Sequence, residues 1–336
     1  MTACPDDERH GERGPLLAPQ PGFEGAVADV PPVEVVRESV QTPEGDLRLV
    51  SPSTVVREWL LERLFLLCAC AAVAGVLLIF LFVGVRGWPV FAEVGVAKFL
   101  GGRVWLPTSE AFGILPLIFG SFAVMAGALV LGTPLAVGTA VFLSEIASPR
   151  VRAWIRPAVE LLAGIPSVIY GFFGLLILRP IVAQVSGGLG FGLLTGWMIL
   201  AVMIVPTIAT LTEDALRSLP NGIREASYAM GATPWQTIYK VLLPAAKIGI
   251  IDAIILGMGR AIGETMAVLM VVGNAPVFPS GVGRPFSTLT TQIVMDMPYA
   301  TGEHRTALFG MAIILFIVSM TLVASVRIVS RLGAQR

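Results

Sequence analysis

Long apolar runs alternate with shorter polar stretches along most of the chain. Six of these apolar runs extend for 19 residues or more, and a helix needs about 20 such residues to cross the hydrocarbon core of a bilayer. The runs cover residues 60–85, 113–143, 159–178, 193–211, 245–272 and 306–328. The pattern predicts an all-α, polytopic membrane protein with six transmembrane helices.

One polar stretch, residues 213–247, separates the fourth and fifth apolar runs. Because both neighbours are apolar enough to lie in lipid, this stretch must lie in water on one face of the membrane. Residues 223–230 are predicted to form a short helix with Arg224 and Glu225 pointing outward.

The second half of the same stretch has the signals of a turn followed by a new helix. Gly231 permits a left-handed backbone turn, and Thr233 with Pro234 is typical of an N-cap and a first helical residue. A second short helix is therefore predicted over residues 235–241, ending before Pro244. Two short helices joined by a sharp bend are expected to form a compact unit, here called the knob, and not a flexible connection.

The amino-acid composition indicates a membrane protein, and it distinguishes the N-terminal segment from the rest of the chain. The chain of 336 residues is 55% hydrophobic and 14% charged, with a mean hydropathy of +0.81, whereas soluble domains carry about 25% charged residues. In residues 1–55, acidic residues outnumber the four arginines more than two to one, and Pro is frequent. This segment is predicted to be a disordered acidic tail, followed by a membrane domain over residues 56–336.

The loop charges predict the orientation in the membrane. Twelve lysines and arginines fall on one set of polar connections and six on the other set. Since positive charge accumulates on the cytoplasmic side, both termini and the polar stretch 213–247 are predicted to be cytoplasmic. The predicted location is therefore a membrane that the chain crosses several times.

Sequence signatures of enzymes and metal sites are absent. The chain has no G-x-x-x-x-G-K-[ST] phosphate loop, no H-E-x-x-H and no G-x-S-x-G. Cys4, Cys68 and Cys70 have no spacing that indicates a disulfide or a metal site. Basic residues form no face for a nucleic acid. We therefore predict no catalytic residue, no metal, no cofactor and no nucleic-acid partner.

Two charged residues, Arg260 and Glu264, lie inside the fifth apolar run in the segment GMGRAIGETMAV. Arg260 follows Lys247 by thirteen residues, or about 20 Å of helix, which places it near the middle of the bilayer. A charge at that depth costs about 2.5–3.5 kcal/mol on insertion scales, so both side chains must face protein or water. On a continuous helix, residues four apart share one face.

This pair has two interpretations. An intrahelical salt bridge would lock the bundle, although Arg before Glu is the weaker order for such a pair. Alternatively, the guanidinium would bind a tetrahedral oxyanion through paired hydrogen bonds. A neighbouring carboxylate would accept the proton of hydrogen phosphate and repel fully ionised sulfate. We favour an oxyanion pathway that prefers phosphate.

The predicted knob resembles the EAA loop of bacterial ABC importer permeases. That pattern is E-A-A, three residues, G, nine residues and I-x-L-P, and its spacing is matched throughout. Ser227 stands in place of the third motif residue, Ala, and Val241 stands in place of Ile. The residues at the motif positions are Glu225, Ala226, Ser227, Gly231, Val241, Leu242, Leu243 and Pro244. The resemblance implies that the knob docks into an ATP-hydrolysing partner subunit and transmits its motion.

Residues 56–332 resemble, more specifically, the PstC-type permeases of phosphate-specific ABC importers. Besides the segment around Arg260 and Glu264, the similar segments are residues 131–145 and 163–171. A long first outer loop, residues 87–112, favours the PstC type over the homologous PstA type. The resemblance implies a type I ABC importer permease fold and assigns the charged pair to phosphate passage.

The same resemblance implies the partners. They are a second, PstA-type permease, two PstB-type ATPase subunits, an extracytoplasmic PstS-type phosphate-binding protein, inorganic phosphate and the lipid bilayer. One alternative is an ABC permease for another oxyanion, such as molybdate or sulfate. The other is a stand-alone channel or an ion-driven transporter, for which an inverted repeat would be expected.

Overall fold

The structure, a computed structural model, describes the backbone of residues 52–334 and the side chains of residues 59–328. The predicted acidic tail lies outside these residues, except that its last four residues already belong to the first helix. The helices are α1 (Pro52–Val90), α2 (Val96–Gly101), α3 (Leu115–Val141), α4 (Pro149–Gly164), α5 (Ser167–Phe173), α6 (Arg179–Ser186), α7 (Leu193–Arg217), α8 (Asn221–Ala229), α9 (Pro234–Thr237), α10 (Leu243–Ala245), α11 (Lys247–Gly263), α12 (Met266–Val271), α13 (Leu289–Asp296) and α14 (Gly302–Ala334).

Short irregular helical segments and one small sheet complete the described part of the chain. The π-helical turns are Phe91–Gly95, Phe142–Ile146, Gly174–Leu178 and Ile238–Leu242, and Pro107–Ser109 forms a 3₁₀ turn. Strands β1 (Trp105–Leu106) and β2 (Ala111–Phe112) pair antiparallel, with Trp105 opposite Phe112. The all-α prediction is confirmed.

Five helical stretches in the described residues are long and apolar enough to cross a membrane. They are Trp59–Gly101, Leu115–Ile146, Ser167–Ser186, Leu193–Arg217 and Gly302–Ile328. A sixth crossing arises if Pro234–Ala245 and Lys247–Gly263, which meet at a bend of 70°, count as one broken span. The predicted six spans are confirmed in this sense, with different boundaries.

The third predicted span, residues 159–178, is wrong at its start. Helix α4 ends at Gly164, and Ile165 is extended, with φ −67° and ψ 129°. Because the residue before a proline is disfavoured in helical conformation, Pro166 separates α4 from α5. The apolar span begins only at Ser167.

The first outer segment, residues 87–112, is mostly helix and not the loop that its mixed composition predicts. Helical structure continues to Gly101 because the apolar residues of this segment have a core to pack against. Val90 and Phe99 are buried in a cluster with Trp105 of β1 and with Leu308 of α14. Tertiary contacts therefore extend the first helical stretch well past its apolar run.

Helices α3 and α7 make the most extensive helix–helix contact in the described part of the chain. Trp197 of α7 donates a hydrogen bond from Nε1 to the carbonyl oxygen of Ala123 at 2.8 Å. A Cβ atom at Gly127 would lie only 2.1 Å from the same Nε1. The small residue therefore lets the two helices approach, as is typical of membrane bundles.

Replacing Gly127 with alanine is expected to lower the melting temperature of the purified protein. The added methyl group displaces the Trp197 ring, and overpacking of this kind costs about 1–3 kcal/mol. The matched control is Gly138→Ala on the same helix, where a Cβ meets no atom within 4 Å. Equal melting temperatures for the two variants in detergent would contradict the packing described here.

Candidate functional site

The knob is built as predicted in its first half. Helix α8 is followed by Gly231 in the left-handed conformation, with φ +80°. Thr233 then caps α9 by accepting a hydrogen bond from the backbone N–H of Gln236, whose side chain accepts one from the backbone N–H of Thr233. This reciprocal capping box, with Pro234 in the first turn, fixes the bend between the two helices.

The second helix of the knob does not end before Pro244, contrary to the prediction. It continues as the π-helical turn Ile238–Leu242 and then as α10. Proline lacks a backbone N–H and its ring clashes with the carbonyl one turn earlier in an α-helix. The wider π-helical turn immediately before Leu243 and Pro244 provides the local irregularity that accommodates the ring.

The motif residues of the knob divide into an exposed set and an anchoring set. The exposed set is Glu225, Ala226, Gly231 and Pro244. Ser227 joins the two helices, since its hydroxyl lies 2.9 Å from the hydroxyl of Thr237. Leu242 is fully buried, and Val241 and Leu243 are partly buried. One part of the motif therefore holds the knob on the bundle while the other part faces outward.

Large apolar side chains beside the motif are also exposed. Met230, Trp235 and Tyr239 each expose two-thirds or more of their surface. Aromatic residues and Met are enriched in the cores of protein interfaces. These three side chains and Glu225 are therefore accessible to a protein partner.

Arg224 points inward, which corrects the prediction that it lies outward with Glu225. Its side chain is 18% exposed and forms an ion pair at 2.8 Å with Glu145, which lies in the π-helical turn Phe142–Ile146 after α3. The hydrogen bond to Glu145 is the main cause of a raised pKa for the Arg224 guanidinium, and burial opposes it. Arg224 therefore stays charged at every physiological pH.

Glu213, the first residue of the predicted polar stretch, is fully buried at the end of α7. Its Oε1 lies 3.5 Å from Arg156 Nη1 of α4 and 3.4 Å from Arg217 Nη1. The fourth span therefore continues past its predicted end at 211, because arginines neutralise this carboxylate inside the protein.

Arg260 and Glu264 do not share one face of a continuous helix, contrary to the prediction. Helix α11 ends at Gly263, and Glu264 is extended, with φ −69° and ψ 125°. A new helix, α12, begins at Met266. The structure gives no salt bridge between these two side chains, so the interpretation as an intrahelical lock is not supported.

Each member of this charged pair has its own partners. Arg260 Nη1 donates to Thr207 Oγ1 of α7 at 3.3 Å. Glu264 Oε1 accepts a hydrogen bond of 3.1 Å from the backbone N–H of Ala267 in the first turn of α12. The backbone carbonyl of Glu264 accepts from Thr290 Oγ1 at 3.3 Å. The break is thus held by side chains on both sides.

Arg260 is only partly buried and borders a groove of about 430 Å³. The groove is lined by Thr207, Ile255, Leu256, Gly259, Arg260 and Val323. A guanidinium with one hydrogen bond to a hydroxyl keeps further donors for an anion. Broken helices beside such cavities are where membrane transporters bind ions and substrates.

Residues 132–336 match the family described as binding-protein-dependent transport system inner membrane component. This chain belongs to that family. A match over the larger part of the chain, together with the knob geometry, identifies the chain as a permease subunit of an ABC transporter. It is therefore not an enzyme, and ATP is hydrolysed by a separate subunit.

Curated relatives cover most of the permease. One, named "Probable ABC transporter permease protein YqgH" from Bacillus subtilis, is 43% identical over 78% of this chain and 87% of its own length. Another, named "Phosphate transport system permease protein PstC" from Mesorhizobium japonicum, is 35% identical over 86% of this chain and 96% of its own length. The resemblance to PstC-type permeases is thereby confirmed.

A solved structure shows the same fold. The structure, a bacterial alginate ABC transporter in complex with its periplasmic protein, has a chain that matches with a TM-score of 0.59 and 16% identity. The match covers 84% of the permease described here and 97% of that chain. The type I ABC importer permease fold is therefore confirmed.

Three residues of the permease site were not identified as functional from the sequence, although Glu145 ends the segment 131–145 that resembles the family. Thr207, Glu145 and Thr290 contact Arg260, Arg224 and the backbone of Glu264, respectively. A hydroxyl residue after Pro206 in an apolar run is the only sequence signal for Thr207.

Within the described residues, no group of three or more His, Cys, Asp or Glu side chains could hold a metal ion.

Proposed function

We propose that this chain forms part of the translocation pathway of an ATP-driven importer of inorganic phosphate, with Arg260 as the anion-binding residue. Arg260, held by Thr207 at the border of a groove beside a broken helix, carries the proposal. The guanidinium geometry suits a tetrahedral oxyanion. Relatives whose printed name is phosphate transport system permease support phosphate as the anion.

Glu264 is proposed as the residue that selects a protonated oxyanion. Its Oε1 is bonded to the backbone N–H of Ala267, and a carboxylate oxygen has lone pairs for further donors. Hydrogen phosphate can donate a proton to such an oxygen, whereas sulfate and molybdate at neutral pH cannot. Glu264 is thus proposed to reach the pathway from the break between α11 and α12, and not from the helical face that carries Arg260.

The family requires an ATPase and a substrate-binding protein as partners. We propose that these are two PstB-type ATPases and a PstS-type binding protein outside the cell, with a PstA-type permease as the second membrane subunit. The chain is proposed to cross the bacterial cell membrane with both termini in the cytoplasm. Residues 1–55 then form a cytoplasmic tail, and residues 56–336 form the permease domain in the lipid bilayer.

The knob is proposed as the coupling element, over residues 213–247. Its outward set, Glu225, Ala226, Gly231 and Pro244, would meet the ATPase, while Ser227, Val241 and Leu243 hold its two helices and its base. In this mechanism, closure of the ATPase pair pushes the knob and opens the groove at Arg260 outward. ATP hydrolysis then returns the knob and the groove to their starting positions.

Competition between anions tests the proposed substrate. The four kinds of subunit are co-expressed, reconstituted in lipid vesicles and supplied with ATP and radiolabelled phosphate. We expect a tenfold excess of sulfate or molybdate to leave phosphate uptake largely unchanged, and unlabelled phosphate to suppress it. Suppression by molybdate or sulfate instead would assign this permease to that oxyanion.

The carboxylate's part in selectivity is tested in the same vesicles with Glu264→Gln. The amide still accepts the hydrogen bond of Ala267 but carries no negative charge to repel an oxyanion that has no proton to donate, so the preference for phosphate over sulfate is expected to narrow. Narrowing by about tenfold corresponds to about 1.4 kcal/mol of discrimination. An unchanged ratio of phosphate to sulfate uptake would remove Glu264 from selectivity.

A further inference from the structure

The guanidinium of Arg224 connects three segments at the knob end of the helical bundle. It belongs to the knob helix α8, and it donates from Nε and Nη2 to the two carboxylate oxygens of Glu145, at 3.1 and 2.8 Å. Its Nη1 and Nη2 also donate to the carbonyl oxygens of Leu219 and Leu216, at 3.1 and 3.0 Å. One side chain thus joins the knob to the end of α7 and to the turn that follows α3.

The turn that carries Glu145 is itself held in place. Ser144 Oγ donates to Glu145 Oε1 at 2.6 Å. Arg152 of α4 donates from Nε to the carbonyl oxygen of Leu143 at 2.6 Å, and from Nη2 to that of Ser144 at 2.8 Å. These carbonyls end the second span and would otherwise lack partners. Glu145 therefore projects from a fixed base towards the knob.

We propose that Arg224 and Glu145 form a coupling clamp, which transmits displacement of the knob to the spans α3 and α7. The inference rests on the proposed function, since it needs an ATPase that moves the knob. Both residues act as positioning residues, because neither touches the anion.

The path from the clamp to the anion site runs along one helix. Leu216, whose carbonyl binds Arg224, lies on α7 nine residues after Thr207, or about 13 Å of helix. Thr207 accepts the hydrogen bond of Arg260. A shift of the end of α7 therefore reaches the hydroxyl that holds the guanidinium at the groove.

The geometry of the clamp suits the transmission of force better than apolar contact does. Two parallel N–H···O bonds fix the angle between a guanidinium and a carboxylate as well as their distance. The side chains of Arg224 and Glu145 are 18% and 9% exposed, so solvent and salt screen the pair weakly. Apolar side chains can slide past one another at lower cost.

The knob does not depend on the clamp for its attachment. A separate buried cluster joins it to the bundle, consisting of Val141, Leu216, Ile238, Leu242 and Ala246. Variants that weaken the clamp are therefore expected to fold and assemble. This separation makes a coupling role distinguishable from a structural one.

The test uses the complete complex in lipid vesicles and measures anions imported per ATP hydrolysed. Glu145→Gln and Arg224→Lys keep most of the bulk of each side chain but remove the two parallel bonds between guanidinium and carboxylate. We expect each to lower the ratio at least tenfold, with the amount of assembled complex unchanged. The double variant is expected to lower it no further than a single one, because both changes break the same interaction.

Glu160→Gln is the matched control. It removes one carboxylate from Arg156, at 3.0 Å, while Arg156 keeps its ion pairs with Glu213 and Asp214 at the end of α7 and the Arg224–Glu145 pair stays intact. Its ratio should equal that of the wild type. The proposal is overturned if the clamp variants keep the wild-type ratio, or if uptake and ATP hydrolysis fall together with the amount of complex.

Failure of the clamp and failure of the proposed function give different results. If the wild type imports an anion with ATP but the clamp variants remain equally coupled, only the clamp is wrong. If the wild type imports no anion in response to ATP, the proposed function is wrong, and the clamp proposal is rejected with it.

Discussion

Replacing Arg260 with glutamine is expected to abolish most phosphate uptake while the complex still assembles. The guanidinium borders the groove and keeps donors beyond its bond to Thr207. Charge-assisted hydrogen bonds contribute about 1.5–3 kcal/mol each, so losing one lowers uptake about ten- to hundredfold. Arg260→Lys keeps the charge without the planar fork and should give an intermediate rate.

Arg179→Gln is the matched control for this variant. Arg179 also lies within a membrane span, Ser167–Ser186, but its Nε donates to the carbonyl oxygen of Leu189 and it does not line the groove at Arg260. Its removal should leave uptake within about twofold of the wild type. Undiminished uptake by the Arg260→Gln complex, at equal amounts of protein in the membrane, would remove this residue from the pathway.

Replacing Gly231 with valine is expected to uncouple ATP hydrolysis from uptake. Gly231 has φ +80°, and an added Cβ meets no atom of this chain within 4 Å. The penalty therefore comes from the backbone: a residue with a side chain pays about 1–2 kcal/mol in this conformation, and β-branched residues are among the least tolerant. Relaxation of that strain changes the angle between α8 and α9.

Gly231→Asn separates backbone strain from added bulk. Asparagine visits the left-handed region more readily than valine, although it is similar in size. It should retain most of the uptake per ATP, and Gly222→Ala, at an exposed position on α8 with ordinary φ, should retain all of it. If Gly231→Asn and Gly231→Val lose the same amount of uptake per ATP, added bulk at the partner surface causes the uncoupling, and backbone conformation does not.

Local sequence signals were sufficient to predict the bend of the knob and the start of its second helix. Gly231, Thr233 and Pro234 each restrict the backbone at their own position, so the bend and the second helix start follow from these residues alone. The continuation through Pro244 was not predictable in this way. It depends on a π-helical turn and on Leu242, which is buried against the bundle.

The helix break after Gly263 could not be predicted from the local sequence. No proline marks it, and the apolar pattern continues through residues 261–272. The extended conformation of Glu264 is compensated by bonds to Ala267 and Thr290, and Thr290 is 26 residues away. Helix length predicts a position near the middle of the membrane for Arg260, which stays a prediction, whereas no local pattern indicates its partner Thr207.

The clamp illustrates the same limit for charged residues. Arg224 is adjacent to Glu225 in the sequence, and a short amphipathic helix gave no reason to separate them. Glu145, the partner that draws Arg224 inward, lies 79 residues earlier in the chain. Loop charges indicate a membrane side, but they do not indicate which charges are paired inside the protein.

Simultaneous measurement of phosphate uptake and ATP hydrolysis in vesicles is the most direct test of coupling through the knob to Arg260. The complete complex with loaded binding protein should import phosphate only with ATP, and both Gly231→Val and Arg260→Gln should lose import at unchanged assembly. Import by the wild type without ATP, or undiminished import by both variants, would contradict the account.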